Sequence, residues 1–180
     1  MKTHAWMTIV LGIVFLALVP SSARAQLPNG YGAAIGVETA RKVAAVAVAE
    51  GKKNGWAVAV AIVDPGGELV FFERIDNTQV GSVKVSQEKA RTAARFKRPT
   101  KAFEDALAGG RQAILGLPDV VPLEGGIPLI VDGKIVGAIG VSGATSQQDG
   151  ICAQAGADTL GKTPPIPTPA PPPPPRPVKN

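Results

Sequence analysis

The sequence predicts a single α+β domain in which an antiparallel sheet packs against helices in two or three layers. Two apolar strand pairs, each joined by a tight turn, indicate β-hairpins, and hairpins build antiparallel sheets. Helical segments precede, separate and follow the hairpins, with only short loops between them. The chain has 180 residues, which suits one domain with an extension at each end. We place this domain at residues 26–162.

The first half of the domain is predicted to hold one helix and one hairpin. Residues 33–54 are rich in alanine and valine, with Glu38 early and Lys52 late, which suits the dipole of a helix. Residues 56–63 and 68–73 are apolar strand segments. The Asp-Pro-Gly-Gly sequence between them is a turn signal, so the two segments should pair as a hairpin.

Two helices should follow this hairpin. Residues 81–96 have a helical pattern of small and apolar residues that ends before Pro99. Residues 100–108 form the next helical segment, and Thr100 is expected to cap it. A short extended segment at 120–123 leads out of this region.

The second hairpin and a last helix complete the domain. Residues 127–131 and 134–141 are apolar strand segments. Asp132-Gly133 between them is a type I′ turn sequence, which requires positive φ at both residues. Ser146 is expected to cap a helix over 147–160.

The first 25 residues have the features of a cleaved export signal. Residues 7–19 are apolar, Pro20 follows, and Ala23-Arg24-Ala25 provides the small residues of a cleavage site. This apolar segment is too short for a usual membrane span, which takes about 20 residues. We therefore expect cleavage before Gln26 and a periplasmic or secreted protein with no stable membrane span; the alternative is a retained helical anchor.

Removal of this segment changes the chemistry that is open to the protein. His4 is the only histidine, and Met1 and Met7 are the only methionines. The mature chain would have none of either residue. Loss of Lys2 and Arg24, two of the 19 basic residues, would lower the formal charge from +5 to +3.

Several classes of function are excluded or disfavoured by this composition. Ser142 lies in a Gly-Val-Ser-Gly-Ala sequence that resembles a nucleophile elbow, but a Ser-His-Asp mechanism needs a histidine. No metal site is expected, because imidazole and multiple thiolates are missing and the carboxylates are scattered. The basic segment 84–101 has few aromatic residues for base stacking, so we expect no nucleic-acid partner.

The C-terminal segment, residues 163–180, differs from the rest of the chain. Ten of the 17 prolines lie between Pro164 and Pro177. Such a segment favours polyproline II or disorder over a packed fold. It is either a spacer, a ligand for a proline-binding partner, or a disordered tail.

A few residues have more than one interpretation. Arg74 and Asp76 directly follow the second strand, where they could face a ligand or form a structural ion pair. Cys152 has no partner in the mature chain and is interpreted as buried, ligating, free, or paired with another subunit. Gly137, Gly140 and Gly143 should allow close packing of a helix on the sheet.

Seven segments of the chain, in order within residues 33–160, resemble the GlcG/HbpS family of small haem-binding or haem-degrading-like proteins. That family is also found as the C-terminal domain of some corrinoid adenosyltransferases. The matching segments are Val60-Ala61-Ile62-Val63-Asp64 with Gly66-Gly67-Glu68-Leu69, Arg74-Ile75-Asp76, Lys89-Ala90-Arg91-Thr92-Ala93-Ala94, Gly125-Gly126-Ile127-Pro128-Leu129, and residues 137–144 with Gln148-Asp149.

The resemblance implies an antiparallel sheet of about five strands between two helical layers, and assembly into homo-oligomers. Exported members of the family are linked to extracellular haem or iron handling, so haem is one candidate ligand. A mature chain without histidine and methionine would leave Cys152, Tyr31, a lysine, a hydroxyl such as that of Thr92, or no side chain as the axial ligand.

Three hypotheses for function remain open. The first is an exported, oligomeric protein that binds a small anionic or amphipathic ligand. The second is an enzyme for a small organic acid, with Asp76, Lys89 or Cys152 as acid, base or nucleophile. The third is a scaffolding subunit whose proline-rich tail binds a partner. The ligand-binding residues predicted for the first hypothesis are Arg74, Asp76, Lys89, Thr92, Gly125, Gly126, Ser142 and Gly143.

Overall fold

A computed structural model describes residues 29–161 of the chain. The predicted export signal and the proline-rich tail therefore lie outside the described residues. The elements, in chain order, are α1 (Val37–Lys53), β1 (Ala59–Val63), β2 (Leu69–Arg74), α2 (Ser82–Phe96), α3 (Lys101–Ala108), β3 (Gly126–Val131), β4 (Lys134–Ser142) and α4 (Ser146–Ala157). Short 3₁₀ turns at Gln112–Gly116 and Asp158–Leu160 follow α3 and α4.

The predicted α+β class is confirmed: in the described residues, four antiparallel strands form one sheet in the order β2-β1-β4-β3. The family resemblance implied about five strands. In the described part of the chain, the place of a fifth strand is taken by a segment beside the beginning of β4. Tyr31 forms an isolated parallel bridge with Ile135, and the backbone N–H of Gly32 donates to the Ile135 carbonyl over 2.8 Å.

Helices cover the two faces of the sheet differently. On one face, α1 and α4 pack against each other and against the sheet, around a core that includes Val43, Val60 and Ile139. On the other face, α2 packs across β1, β4 and β3 through alanines such as Ala90 and Ala94. Residues of β1 alternate between the two faces, which explains why the whole strand is buried.

One glycine sets the distance between α2 and the sheet. A Cβ atom at Gly140 would lie 2.0 Å from the Ser86 carbonyl oxygen and 2.5 Å from the Ala90 backbone nitrogen. Both are backbone atoms of α2, so the helix lies directly on β4. The prediction that glycines allow close packing of a helix on the sheet is confirmed at this position. Gly137 instead faces the end of β1, and Gly143 faces the loop that leads into β1.

The two hairpin turns are as predicted. At the second turn, Asp132 and Gly133 have φ of 49° and 72°, as a type I′ turn requires. At the first turn, the Asp64 carboxylate accepts from the Glu68 backbone N–H over 2.9 Å. The segment at 120–123 lies outside the sheet, and the Val121 N–H donates to the Thr92 hydroxyl.

Both predicted helix caps were wrong. The Thr100 side chain makes no capping bond to α3; its hydroxyl accepts from the Gly126 N–H over 2.9 Å and fixes the beginning of β3. The cap of α4 is Thr145 rather than Ser146. The Thr145 hydroxyl accepts from the Gln148 N–H, and the Gln148 side chain accepts from the Thr145 N–H, which is a capping box.

Thr145→Ala should therefore lower the free energy of unfolding by about 1 kcal/mol, because it leaves a backbone donor of the first helical turn without a partner. Ser146→Ala is the matched control and should change this free energy by less than about 0.5 kcal/mol. Urea unfolding followed by circular dichroism measures both. Equal effects of the two substitutions would contradict the capping assignment.

Within residues 29–161, none of the helices combines the length and the apolar character that crossing a membrane requires.

Candidate functional site

One end of the sheet gathers most of the residues that the sequence predicted for ligand binding. Arg74 ends β2 and Ser142 ends β4, and both pair with Ala59 at the beginning of β1. Gly126 begins β3 and pairs with Gly140, two residues before Ser142. The chain segments that enter and leave this end of the sheet are the glycine loop before β3, the loop after β2 and the loop after β4.

A buried ion pair lies at the centre of this end of the sheet. The Lys89 Nζ donates to the Asp149 Oδ2 over 2.7 Å and to the Val141 carbonyl over 3.1 Å. The two side chains are only 2% and 3% exposed. Helix α2 supplies the lysine and α4 the aspartate, so the pair joins the helical layers on opposite faces of the sheet. The Lys89 ammonium is directed into the protein interior.

Asp149 also holds the loop that follows β4. Its Oδ1 accepts from the Ala144 backbone N–H over 3.1 Å. Burial raises the pKa of the Asp149 carboxyl, although Lys89 and backbone hydrogen bonds from Ala144 and Gly143 act in the opposite direction. The loop with Ser142 and Gly143 is therefore positioned from within by one carboxylate.

Gly125 and Gly126 pack against this ion pair and against α2. A Cβ atom at Gly126 would lie 2.3 Å from the Lys89 carbonyl oxygen. At Gly125, where φ is +125°, a Cβ atom would lie 2.7 Å from the Val141 carbonyl oxygen and 3.0 Å from the Lys89 Nζ. The lack of side chains in this loop is thus required by the packing of the interior.

An open cleft of about 320 Å³ lies on the outer side of the same loop. We call it the glycine-loop cleft. Its wall is formed by residues from the loop, from β3, from the beginning of α3 and from α4. These residues are Pro99, Lys101, Glu124, Gly125, Gly126, Ile127, Gly150, Ile151 and Gln154.

Two charged side chains lie in the glycine-loop cleft. The Lys101 Nζ is 2.8 Å from the Asp105 carboxylate and 3.9 Å from the Glu124 carboxylate, and about half of its side chain is exposed. The hydrogen bond to Asp105 raises the pKa of Lys101, so its ammonium stays protonated. Burial raises the pKa of Glu124, with Lys101 acting against this and Glu104 and Asp105 acting with it.

Gly150 makes room for the Glu124 side chain. A Cβ atom at Gly150 would lie 2.5 Å from the Glu124 Oε1. The backbone N–H of Glu124 donates to the Glu104 carboxylate, which fixes the loop to α3. The cleft therefore combines one exposed cation, one carboxyl of raised pKa and the apolar side chains of Ile127 and Ile151.

The structure brings together Lys89, Gly125, Gly126, Ser142 and Gly143 around Asp149, but it separates Arg74 and Asp76 from them. Arg74 lies on β2 and Gly126 on β3, the two outer strands of the sheet. Three strand spacings separate them, or about 14 Å. Both Arg74 and Asp76 are exposed.

The remaining predicted residues make structural contacts. The Thr92 hydroxyl donates to the Asp119 carbonyl over 3.2 Å and accepts from the Val121 N–H over 3.0 Å. The Ser142 hydroxyl bonds the Ser82 hydroxyl at the beginning of α2 over 3.1 Å. Cys152 is a free, buried thiol in the core under α1 and α4, and burial raises its pKa to about 11.

Sequence reasoning missed Asp149 and the five cleft residues that belong to helices or to the end of the loop. Those residues are Lys101, Glu124, Gly150, Ile151 and Gln154. Asp149 gave one usable signal: it is the acidic residue in the first turn of a helix that follows a glycine-rich strand end. Within the part of the chain that the structure describes, no three His, Cys, Asp or Glu side chains are grouped so as to hold a metal ion.

The fold is that of a known class of small α+β proteins. The family model described as haem degrading protein HbpS-like matches residues 35–158, so the chain belongs to the HbpS-like family. Protein GlcG of Escherichia coli strain K12 is 43% identical over 105 residues, which cover 58% of this chain and 78% of GlcG.

Two solved structures support the same assignment. The crystal structure of HbpS is 33% identical, with a TM-score of 0.67, and the match covers 73% of this chain and 93% of HbpS. The crystal structure of a PduOC–haem complex is 26% identical, with a TM-score of 0.65, and the match covers 71% of this chain and 96% of PduOC. The predicted family resemblance is confirmed.

Proposed function

We propose that this protein is an exported, oligomeric member of the HbpS-like family that binds a small, anionic and amphipathic ligand of the haem class in the glycine-loop cleft. The observation that carries the proposal is the cleft itself, because it joins an exposed cation to an apolar wall beside a glycine backbone. A relative of the same fold has been solved as a haem complex, which supports this class of ligand.

The side chains of the cleft match the two halves of such a ligand. Ile127 and the half-exposed Ile151 offer apolar contact to a flat, hydrophobic molecule. Lys101 stays protonated and can pair with a carboxylate at the rim. The volume of about 320 Å³ lies at the lower end of the range for small-molecule sites, so a larger ligand would extend beyond the cleft.

Four candidate ligands for haem iron are either buried or engaged with other groups; they are Cys152, Tyr31, Thr92 and the cleft residue Lys101. The thiol of Cys152 is buried in the core. The Tyr31 hydroxyl is bonded to the carbonyls of Ala94 and Arg95, and the Thr92 hydroxyl has two backbone partners. The ion pair with Asp105 disfavours the neutral amine that iron ligation by Lys101 would need. Binding in the cleft would therefore depend on contacts with the porphyrin ring and its carboxylates rather than on a ligand to the iron.

Export rests on the sequence of residues 1–25, with its apolar segment and its Ala-Arg-Ala cleavage site. The proposed location is periplasmic or secreted.

Hemin titration of the purified protein tests the ligand assignment. Hemin should shift its Soret band on binding, without the spectrum of a histidine- or thiolate-ligated iron. Lys101→Met should weaken the apparent affinity about fivefold, the equivalent of about 1 kcal/mol for one lost charge-assisted contact. Ile151→Asp should weaken it about tenfold or more, because it places a carboxylate in the apolar wall.

Arg74→Ala and Lys42→Met are the controls, since both residues are exposed and lie outside the cleft. Neither should change the affinity. Absence of any Soret shift would exclude the haem class. Weaker binding in Arg74→Ala with no change in Lys101→Met and Ile151→Asp would move the site to the β2 edge and overturn the cleft assignment.

A further inference from the structure

The two edge strands of the sheet, β2 and β3, differ in whether their outward backbone groups are free to pair with another strand. At the β3 edge, the N–H of Gly126 donates to the Thr100 hydroxyl, and its carbonyl accepts from the Thr100 N–H. The next outward residue along β3 is Pro128, which has no N–H to offer. The hydroxyl and backbone N–H of Thr100, together with a proline, thus block this edge, as is usual where a sheet must not pair further.

The β2 edge has neither device. The Ile75 N–H donates to the Val58 carbonyl, and antiparallel pairing alternates from there. The backbone groups of Phe72 and Arg74 therefore point away from β1, towards the outside. Phe72 and Arg74 belong to the strand Leu69–Arg74, which contains no proline and has no fully buried residue.

Side chains of β2 are also left partly uncovered. Phe72 pairs with Ala61, so it lies on the α2 face, but α2 packs across β1, β4 and β3. Phe72 is half-buried as a result. An unprotected edge with a half-exposed aromatic ring is a ready template for another strand.

We propose that β2 pairs antiparallel with β2 of a second copy of this chain, across a two-fold axis at Phe72, so that the two sheets become one. This specifies the interface for the oligomer in the proposed function and does not depend on the ligand. Self-pairing is the closed, isologous arrangement expected of a homodimer. The two Phe72 rings would then meet on the uncovered face.

Charge supports a second copy in this register. Glu73 pairs with Val60 and so lies on the α1 face, where Arg41 lies 5.5 Å from the centre of the Phe71 ring. Within residues 29–161, neither Glu73 nor Arg41 has an ion-pair partner. Pairing at Phe72 places Glu73 opposite Phe71 of the second copy, next to its Arg41. A shift by one residue would oppose the two Glu73 carboxylates, which is unfavourable.

A charge exchange tests the interface. Light scattering coupled to size exclusion should show a dimer for the unmodified protein at micromolar concentration. Glu73→Arg and Arg41→Glu should each weaken the dimer about tenfold, and the double variant should recover most of the loss. Gln147→Arg, at an exposed site on α4, is the control and should leave the dimer intact. A monomeric protein, or single variants without effect, would overturn the proposal.

A disulfide tests the register. Phe72→Cys should give a covalent dimer on mild oxidation, because residues paired across the axis lie within disulfide reach. Val131→Cys, on the blocked β3 edge, should stay monomeric on a denaturing gel, and the buried Cys152 does not interfere. No cross-link at position 72 would overturn this register. If the protein is a dimer but hemin gives no Soret shift, only the ligand assignment is refuted. If it binds hemin as a monomer, only the proposed interface is refuted.

Discussion

Lys89→Met is expected to lower the free energy of unfolding by about 3–5 kcal/mol at neutral pH, since it leaves the Asp149 carboxylate buried without its counter-ion. The pair is 2.7 Å apart and almost fully shielded from water. Asp149→Asn should cost a similar amount by leaving the Lys89 ammonium unpaired. The double variant should cost clearly less than the sum, because no uncompensated charge remains.

The pH dependence of these variants separates the two buried charges. In Lys89→Met, burial without a partner raises the pKa of Asp149 further above its unfolded value, so the folded state binds the proton more tightly. Its stability should fall as pH rises through the unfolded pKa towards the folded one, and recover as pH is lowered to about 4. Asp149→Asn has no carboxyl at this position and should show no such recovery.

Urea unfolding at pH 7.5 and pH 4.5 measures all four proteins of this cycle. Additive losses below about 1 kcal/mol would show that the pair contributes little. A Lys89→Met deficit that stays constant between the two pH values would show that the unpaired carboxyl does not take up a proton.

Gly140→Ala should prevent folding or cost at least about 3 kcal/mol, at the upper end of the range for overpacking. The new Cβ would collide with the backbone of α2 at Ser86 and Ala90. Backbone atoms cannot change rotamer, so α2 would have to move away from β4 and lose its alanine contacts with the sheet.

Gly81→Ala, at the N-terminal end of the same helix, is the matched control. No atom lies within 4 Å of a Cβ built there, and its φ of −60° suits alanine. Soluble yield, circular dichroism and urea unfolding compare the two variants. Gly140→Ala within about 1 kcal/mol of the unmodified protein would mean that the helix can shift at little cost.

The elements of this fold could be predicted because their signals are local. The alanine-rich helices, the apolar strands and the Asp132-Gly133 turn can each be recognised from a few neighbouring residues. The cap of α4 was misplaced by one residue because Thr145 and Ser146 are both good capping residues. The spacing of Thr145 and Gln148 is that of a capping box, and in the structure Thr145 is extended whereas Ser146 is already helical.

The site could be predicted only in part, because it is assembled from distant segments. The glycine loop and Lys89 were identified as candidates, but nothing local links Lys89 to Asp149, which lies 60 residues further along the chain. Lys89 is thus a buried structural residue rather than the expected ligand contact. Likewise, Lys101 and Ile151 share a cleft only because α3 and α4 meet beside the glycine loop.

The strand order has a consequence for how the chain reaches this structure. β1 and β2 form one local hairpin and β3 and β4 another, so each can close over a short loop. Within residues 29–161, the only strand pairing that joins the two hairpins is β1 with β4, where Ala59 pairs with Ser142, more than eighty residues later in the chain. Pairing β1 with β4 therefore carries most of the entropic cost of loop closure. The two hairpins can form quickly, whereas the complete sheet forms only when the hairpins pair with each other.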